Sequence, residues 1–545
     1  LRWVQRAFNS YLGLVLAWVY LWAEVFHYWV LALHTWLARP SLQRELTERL
    51  HTATSYEQWY TSATQLDRLL GWEDWRHNPV SDLYDYRLIE SRLERLCDIG
   101  ITNDLTAMVF LLRSGLVRNL GGINEHQLFS RASHAGTKLL IEEYTYRVVN
   151  ILEFIRQSDT LSIPRPLKAS LFYDTRQCYG RTALVLNGGS TFGLCHLGVA
   201  KALWQHRLLP RIVYGKAVGA LIGALLCCYD DQQLITLFQT LEIDLSAFLR
   251  VKRQGHLLRK LTRYFKFGYL MNVQVLEECI RDNIGDMTFE EAHRKTGRVL
   301  NIALSPQQNH ESQLLLNYLT APNVVIWTAA CASTSQLGLF ERVDLLIKDV
   351  QGQLRTWSPS LACEYSSSHW PSEVNQPNTR LAELFNVNHC IISDASLKNL
   401  PLFTWYTKFA PHWVRQLVRS TLGELLHQMR QLHQLCLLPT ILAGFISRRV
   451  ASNVTVSPSF TLVDLYNMYS RPTPASLHYW VLKGEQATWP RIPLIYNRCI
   501  IEFTLDNALD DFGKHSAFTR SKNHSSVDEV SKTEPPKRKR TQSFH

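Results

Sequence analysis

The sequence lacks the cysteine spacing that a disulfide framework or a zinc site requires. Its 11 cysteines, an odd number, are scattered over 545 residues without a C-x-x-C pair and without the cysteine and histidine spacing of zinc ligands. This distribution is typical of a protein kept in a reduced, cytosolic environment. We therefore expect no structural disulfide, no metal ion and no cofactor.

A cleavable secretory signal is not expected, although the N-terminus is strongly apolar. Residues 11–36 (YLGLVLAWVYLWAEVFHYWVLALHTW) are almost wholly apolar and aromatic, and no A-x-A cleavage site follows them. The segment is long enough to cross a bilayer as a helix, but Glu24 near its centre is costly in lipid. A transmembrane span, a monotopic or hairpin insertion and a buried helix of a soluble domain all stay open. Because the chain begins with Leu1, we expect its start to be incomplete.

Acidic residues are too few to balance the basic ones, and the net charge is +11. The excess is compatible with an acidic surface, either nucleic acid or anionic lipid. Part of it lies in the polar tail, where residues 535–540 read PPKRKR. A run of this kind is more often a solvated tail than a nuclear signal or a lipid-binding segment. We therefore expect no nucleic-acid partner.

The most informative stretch is Ala183–Cys228, in which two apolar runs each end in a glycine-containing turn and continue into a helix. Residues 183–186 (ALVL) have the composition of a buried parallel strand, and residues 187–193 (NGGSTFG) follow as a glycine-rich turn. Backbone N–H groups at the start of a helix are unpaired. Such a turn can therefore hold an anion or a developing oxyanion.

The second turn has the frame of a nucleophile elbow. A short strand pattern at residues 211–214 leads into five residues that precede another apolar helix: Gly215, Lys216, Ala217, Val218 and Gly219. Flanking glycines permit a strained strand-to-helix turn that exposes the middle side chain, which is serine in an active hydrolase. Here the middle residue is Ala217, and its methyl group cannot be acylated.

Together these turns resemble those of the patatin-like phospholipase family, in particular its subgroup of fungal and plant storage triacylglycerol lipases. That subgroup carries a G-G-G-x-x-G oxyanion turn, a G-x-S-x-G elbow and a D-G-[GAS] segment whose Asp activates the Ser. The resemblance implies an oxyanion turn made by Gly188, Gly189, Ser190 and Gly193, in which Ser190 replaces the third glycine. It also implies an α/β fold with a doubly wound, mostly parallel sheet and helices on both faces.

The resemblance further implies where the catalytic acid should lie, and the expected Asp is missing there. Residues 380–389 (RLAELFNVNH) are typical of the subgroup, in which D-G-S lies shortly before this run. Counting back without gaps places His369 at the Asp position and Trp370 at the Gly position. Asp394 lies instead where the subgroup usually has Gln. Both members of the dyad therefore depart from the family pattern.

A different chemistry is also open, because lipases of this subgroup are credited with lysophospholipid acyltransferase activity through H-x4-D. In that motif a His base is oriented by an Asp. The spacing occurs twice, at His77 and Asp82 and again at His389 and Asp394. A pattern of only two residues arises easily by chance in a chain with 20 histidines.

Other polar residues are weaker candidates. Ser333 and Ser335 are not flanked by glycines in the manner of an elbow, so neither is a good replacement nucleophile. His134 and His196 are interpreted as surface or hydrogen-bonded core histidines, because neither has a nucleophile to activate.

The resemblance covers about residues 10–510, and together with the polar composition of the C-terminal tail it leads us to expect five segments. Apolar runs at 183–186, 212–214, 299–304 and 390–393 are the candidate strands of the α/β domain. The segments are an apolar membrane-associated segment (1–40), a helical N-terminal domain (41–165), a patatin-like α/β domain (170–410), a helical or mixed extension (411–510) and a disordered basic tail (511–545).

We therefore expect a lipid acyl hydrolase homologue that acts in neutral-lipid metabolism with impaired catalysis. A nucleophile and its base act as a unit, so losing either lowers the rate by orders of magnitude. The expected partners are neutral lipid or phospholipid, a membrane or lipid-droplet surface, and an active lipase paralogue. The expected location is the cytosolic face of the endoplasmic reticulum or the lipid droplet. An active lipid hydrolase or a lysophospholipid acyltransferase using unrecognised residues is the alternative.

Overall fold

The computed structural model describes most of the central part of the chain. The described ranges are 41–130, 133–158, 164–188, 191–241, 243–244, 273–304, 314–335, 343–357, 377–395, 454–461 and 473–530, with isolated positions at 18, 20, 22–24, 26–27, 29–30, 420–421, 424, 428 and 464.

Helices make up most of these ranges. They are α1 (Ser41–Thr52), α2 (Tyr56–Leu69), α3 (Trp72–His77), α4 (Tyr86–Thr102), α5 (Leu105–Gly115), α6 (Gln127–Ser130), α7 (Leu139–Gln157), α8 (Arg165–Tyr179), α9 (Cys195–Gln205), α10 (Val218–Cys228), α11 (Asp231–Thr240), α12 (Gln274–Ile284), α13 (Phe289–Thr296), α14 (Ile326–Ser335), α15 (Pro377–Phe385), α16 (Pro474–Thr488) and α17 (Ile492–Val530). The strands are β1 (Arg181–Asn187), β2 (Ile212–Lys216), β3 (Val299–Leu304), β4 (Leu314–Leu316), β5 (Leu346–Lys348), β6 (Leu354–Thr356), β7 (Val387–Asp394) and β8 (Val454–Val456).

Six of the strands form one sheet in the order β4-β3-β2-β1-β7-β8. Every pairing in it is parallel except that of β3 with β4. The central strands are short aliphatic runs buried on both faces, as a parallel sheet covered by helices requires. All four predicted strands are present, and the mostly parallel sheet flanked by helices is confirmed.

The strand order places β2 and β3 on one side of β1 and β7 on the other. The order therefore reverses beside β1. In open α/β sheets, ligands bind outside the carboxyl ends of the strands at such a point. The glycine-rich turn follows β1 and the elbow follows β2, so both turns lie at this edge of the sheet.

The chain divides into two compact bodies, and neither is continuous in sequence. The first contains residues 1–76, 129–137 and 181–495, and the second contains 77–128, 138–180 and 496–545. The consecutive domains expected from the sequence differ from this division, because residues 41–76 group with the sheet. One reason is visible within the first body, where the rings of Trp59 of α2 and Trp489 lie tilted to each other with 6.5 Å between their centroids.

The second body contains a cluster of buried charged side chains. Glu502 of α17 accepts hydrogen bonds from Arg118 at 2.9 Å and from Arg176 of α8 at 3.1 Å. The guanidinium of Arg118 also lies 4.7 Å from the ring centroid of Tyr179. Because breaking a buried ion pair leaves an uncompensated charge, this cluster strongly favours one arrangement of the helices.

Helices α9 and α16 of the first body approach each other closely through glycine. A Cβ on Gly198 would lie 1.9 Å from the carbonyl oxygen of Val481, and a Cβ on Gly484 would lie 2.1 Å from that of Cys195. Real Cβ atoms do not approach backbone atoms so closely, so both positions require glycine. This contact fixes α9, the helix that follows the glycine-rich turn.

The terminal segments bear on two further expectations. Within the described ranges, no helix is both long and apolar enough to span a membrane. Much of residues 11–36 lies outside those ranges, so the membrane segment stays a prediction. At the other end, α17 runs to Val530 and extends into the segment predicted to be disordered from residue 511. The physical reason is that Gly513 is the only helix breaker before Pro535.

Candidate active site

The elbow keeps its strained geometry although the nucleophile is absent. Ala217 joins β2 to α10 with φ 55° and ψ −126°, a conformation that favours glycine. Its flanking glycines are sterically required, because a Cβ on Gly215 would meet the Cα of Ala220 at 2.5 Å and one on Gly219 would meet the carbonyl oxygen of Leu186 at 2.2 Å. The close packing of β2 on α10 therefore preserves the turn whatever residue stands at its tip.

Ser333 links the elbow to β3 through two hydrogen bonds. The N–H of Ala217 donates a hydrogen bond to Ser333 Oγ at 3.0 Å, and that hydroxyl donates to the carbonyl oxygen of Ala303 at 2.9 Å. Ser333 lies in α14 and is buried. With its proton committed to a carbonyl, this hydroxyl positions the elbow and is not placed to attack a substrate. The sequence carried no signal of this contact, because the two residues are 116 positions apart.

The glycine-rich turn packs directly on the elbow. Gly188 follows β1 with φ +80°, and Gly193 lies in a short 3-10 turn, Thr191–Leu194, that leads into α9. A Cβ on Gly193 would lie 2.5 Å from Cγ1 of Val218, so glycine permits this contact. The structure thus brings Gly193 of the predicted oxyanion turn next to the elbow, and Gly188 begins the same turn at the end of β1. Gly189 and Ser190 lie outside the described residues.

His196 ties the turn to the end of β7. Its Nδ1 lies 2.7 Å from Ser393 Oγ, and its Nε2 lies 3.4 Å from the carbonyl oxygen of Gly188. Because a carbonyl only accepts, Nε2 carries the proton and Nδ1 accepts from the serine hydroxyl. The side chain is fully buried, and this burial lowers the pKa of His196 to about 4. His196 is therefore neutral at physiological pH and has a positioning role.

The carboxyl end of the sheet carries a row of polar side chains. Asn187 of β1 pairs in register with Lys216 of β2 on one side and with Asp394 of β7 on the other. All three residues are partly exposed. Asp394 therefore lies at the edge of the site, although the sequence placed it out of register with the family's acid. His369 and Trp370, the positions implied for the dyad acid and its glycine, lie outside the described residues.

The two H-x4-D matches are placed differently. His389 is buried within β7, where its Nδ1 lies 3.3 Å from Thr182 Oγ. Asp394 ends the same strand, and five residues of extended chain separate the two by roughly 16 Å and turn them to opposite faces. A histidine so placed is not oriented by that aspartate. His77 ends α3 and Asp82 lies in the following turn, and both are exposed.

His134 has an acidic partner of its own. Its Nδ1 lies 2.7 Å from Oδ1 of Asp67, a buried residue of α2. The same carboxylate accepts hydrogen bonds from the hydroxyl of Ser133 and from the N–H groups of His134 and Ala135. The interpretation of His134 as a hydrogen-bonded structural residue agrees with these contacts. Among the described residues, no group of three or more His, Cys, Asp or Glu converges as metal ligands do.

Two family models match the chain. Residues 36–177 match a domain of unknown function (DUF3336), and residues 184–354 match the patatin-like phospholipase domain. The sheet, the glycine-rich turn and the elbow described above lie largely within the second match. Fold and site thus define the class as patatin-like.

The relatives identify the subgroup. The chain is 36% identical to triacylglycerol lipase ptl1 of Schizosaccharomyces pombe, over 83% of this chain and 82% of that protein. It is 30% identical to triacylglycerol lipase SDP1L of Arabidopsis thaliana, over 89% of this chain and 61% of that protein. The chain belongs to the patatin-like phospholipase family, in its subgroup of fungal and plant triacylglycerol lipases.

Among solved structures, the type III effector protein ExoU matches 65% of this chain and 66% of its own at 12% identity and a TM-score of 0.26. At that TM-score the match has no bearing on the fold or the chemistry.

Proposed function

We propose that this chain is a lipid-binding homologue of the triacylglycerol lipases in which ester hydrolysis is impaired. One observation carries the proposal: Ala217 occupies the strained tip of an otherwise complete elbow. Attack on an ester requires a hydroxyl or thiol at that tip, and a methyl group supplies neither. The apolar helices and the glycine-rich turn remain available to hold an acyl chain.

The proposed location is the cytosolic face of a membrane or a lipid droplet. The described positions near residues 18–30 are helical, and Trp18, Trp22 and Phe26 among them are 62%, 58% and 70% exposed. Large exposed aromatic side chains are typical of membrane interfaces. The proposed ligands are neutral lipid or phospholipid, and an active lipase paralogue is the proposed protein partner.

The test compares three purified proteins for hydrolysis of triolein and phosphatidylcholine. They are the native chain, the double variant His369→Asp/Trp370→Gly, and the triple variant that adds Ala217→Ser. We expect the native chain and the double variant to be inactive, because neither has a nucleophile at the elbow tip. We expect the triple variant to release fatty acid, since it places both members of the family's dyad at the positions that the resemblance implies.

The double variant is the matched control, because it differs from the triple variant only at the elbow tip. Hydrolysis by the native chain would overturn the proposed impairment. A second measurement tests binding: the native chain is expected to retain labelled triolein or phospholipid through gel filtration without turnover. Failure to retain either lipid would overturn the lipid-binding part of the proposal.

A further inference from the structure

The residue beside the elbow tip is a lysine at the carboxyl end of β2. Strand alternation directs Lys216 to the same face as Ile212 and Tyr214, which pack into the core formed with α15. The strand ends at Lys216, and Ala217 begins the turn into α10. The ammonium group is therefore attached at the edge where the strand order reverses, one residue from the elbow tip.

Lys216 is partly buried, and within the described ranges its ammonium forms no hydrogen bond or ion pair. Burial correspondingly lowers the pKa of Lys216 below its usual value. A partly desolvated cation is unfavourable until an anion or a set of acceptors compensates it. Lys201 of α9, by contrast, has such a partner, since its Nζ lies 2.7 Å from Oε1 of Glu485.

The surrounding backbone also favours an anion. Helix α10 has 11 residues and starts at Val218, so the positive end of its dipole faces the elbow. The elbow N–H of Ala217 is already used by Ser333, which leaves the Lys216 ammonium as the charged donor at this position.

From this geometry we infer that the elbow region binds the carboxylate of a long-chain fatty acid, with Lys216 as its cationic partner. This inference rests on the proposed function and specifies its ligand. A carboxylate has the planar shape of the ester group for which the family's elbow is built. A phosphate dianion is bulkier, and an ammonium meets it as a point charge without the paired donors of bidentate recognition.

The charge of Asp394 is expected to affect fatty-acid affinity in the direction opposite to that of Lys216. It lies two strands away from Lys216 on the same face, and strand spacing puts their Cα atoms about 10 Å apart. Its charge opposes a bound carboxylate at that range, whereas the charge of Lys216 attracts it. Neutralising the two residues must therefore change fatty-acid affinity in opposite directions.

The experiment measures equilibrium binding of labelled oleate and of oleyl alcohol to the purified full chain. Lys216→Met is expected to weaken oleate binding about tenfold to a hundredfold, as expected for a charge-assisted hydrogen bond, and to leave the alcohol unchanged. Lys216→Arg is expected to retain most of the oleate affinity. Asp394→Asn is expected to tighten oleate binding roughly two- to fivefold. The matched control is Lys348→Met, which removes a lysine paired with Glu291 elsewhere in the first body.

Several results would overturn the inference while leaving lipid binding intact. These are equal affinity for acid and alcohol, an unchanged oleate affinity in Lys216→Met, or tighter binding of oleoyl lysophosphatidate than of oleate, which would assign the site to a phosphate head group. If the native chain binds none of these lipids, the proposed function itself fails together with the inference.

Discussion

Ala217 holds a backbone conformation that a residue with a Cβ adopts only under strain, at φ 55° and ψ −126°. Glycine removes that strain, so Ala217→Gly is expected to raise the free energy of unfolding by about 1 kcal/mol. Urea unfolding followed by circular dichroism measures the change. Ala224→Gly, in the interior of α10, is the control and should lower the same quantity by about 1 kcal/mol or more. Equal losses for both variants would show that the elbow tip is unstrained.

Single residues were predictable from the sequence where local spacing defines their role, and not where a distant partner does. The spacing of Gly215 and Gly219 indicated an elbow, and it identified Ala217 as the residue that stands where serine is expected. The contact of Ser333 with the elbow and the link from His196 to Ser393 join residues far apart in the chain. Only the fold brings such partners together, so residue types alone gave no indication of them.

The contact between α9 and α16 yields a prediction about helix packing. Gly484→Ala places a methyl group 2.1 Å from the carbonyl oxygen of Cys195, and backbone cannot yield as a side chain can. We expect the helices to separate and the free energy of unfolding to fall by about 3 kcal/mol. Thermal and urea unfolding of the purified chain measure this.

Gly100→Ala is the matched control for that substitution. Gly100 also lies within a helix, α4, but among the described residues no atom outside the adjacent backbone of that helix stands within 4 Å of the position its Cβ would take. Alanine is the better helix former by about 1 kcal/mol, so this variant should be neutral or more stable. If Gly484→Ala behaved in the same way, the close approach of α9 and α16 would be refuted.

At the level of elements, the sequence predicted strands better than their grouping. All four candidate strands are present because each is an uninterrupted apolar run ending at a polar or glycine-containing turn. The grouping of α1 and α2 with the sheet was not predictable in this way, since it depends on contacts such as Trp59 with Trp489. The sequence of neither segment contains a periodic pattern that would indicate such a contact.

The molecule as a whole is expected to lose stability in mild acid. Burial lowers the pKa of His196 from 6.5 to about 4, so between these values the unfolded chain binds a proton that the folded chain does not. The free energy of unfolding should therefore decrease as the pH falls from 6.5 to 4, by up to about 3 kcal/mol from this residue.

Asp67 also makes the free energy of unfolding decrease as the pH falls, but over a lower pH range than His196. Burial alone would raise the pKa of Asp67, but the hydrogen bonds from His134, Ser133 and Ala135 outweigh it, and the pKa is lowered. Its stabilisation is present above the unfolded pKa and is lost as the pH falls below it. Urea unfolding between pH 7.5 and 4.5 isolates the histidine, because His196→Asn should flatten the dependence in that window. Parallel curves for the two proteins would exclude His196 as the cause.

The strained tip of the elbow has a consequence for the history of this chain. Alanine codons lie a single base from serine codons and a single base from glycine codons, so mutation at position 217 readily reaches both residues. Serine there would supply the hydroxyl expected at the family's elbow, while glycine would relax the backbone without supplying one. Once the elbow serves no purpose, glycine should accumulate at this position among recent descendants of the same gene. Retained alanine or regained serine would instead mark lineages in which the side chain at the tip is still under selection.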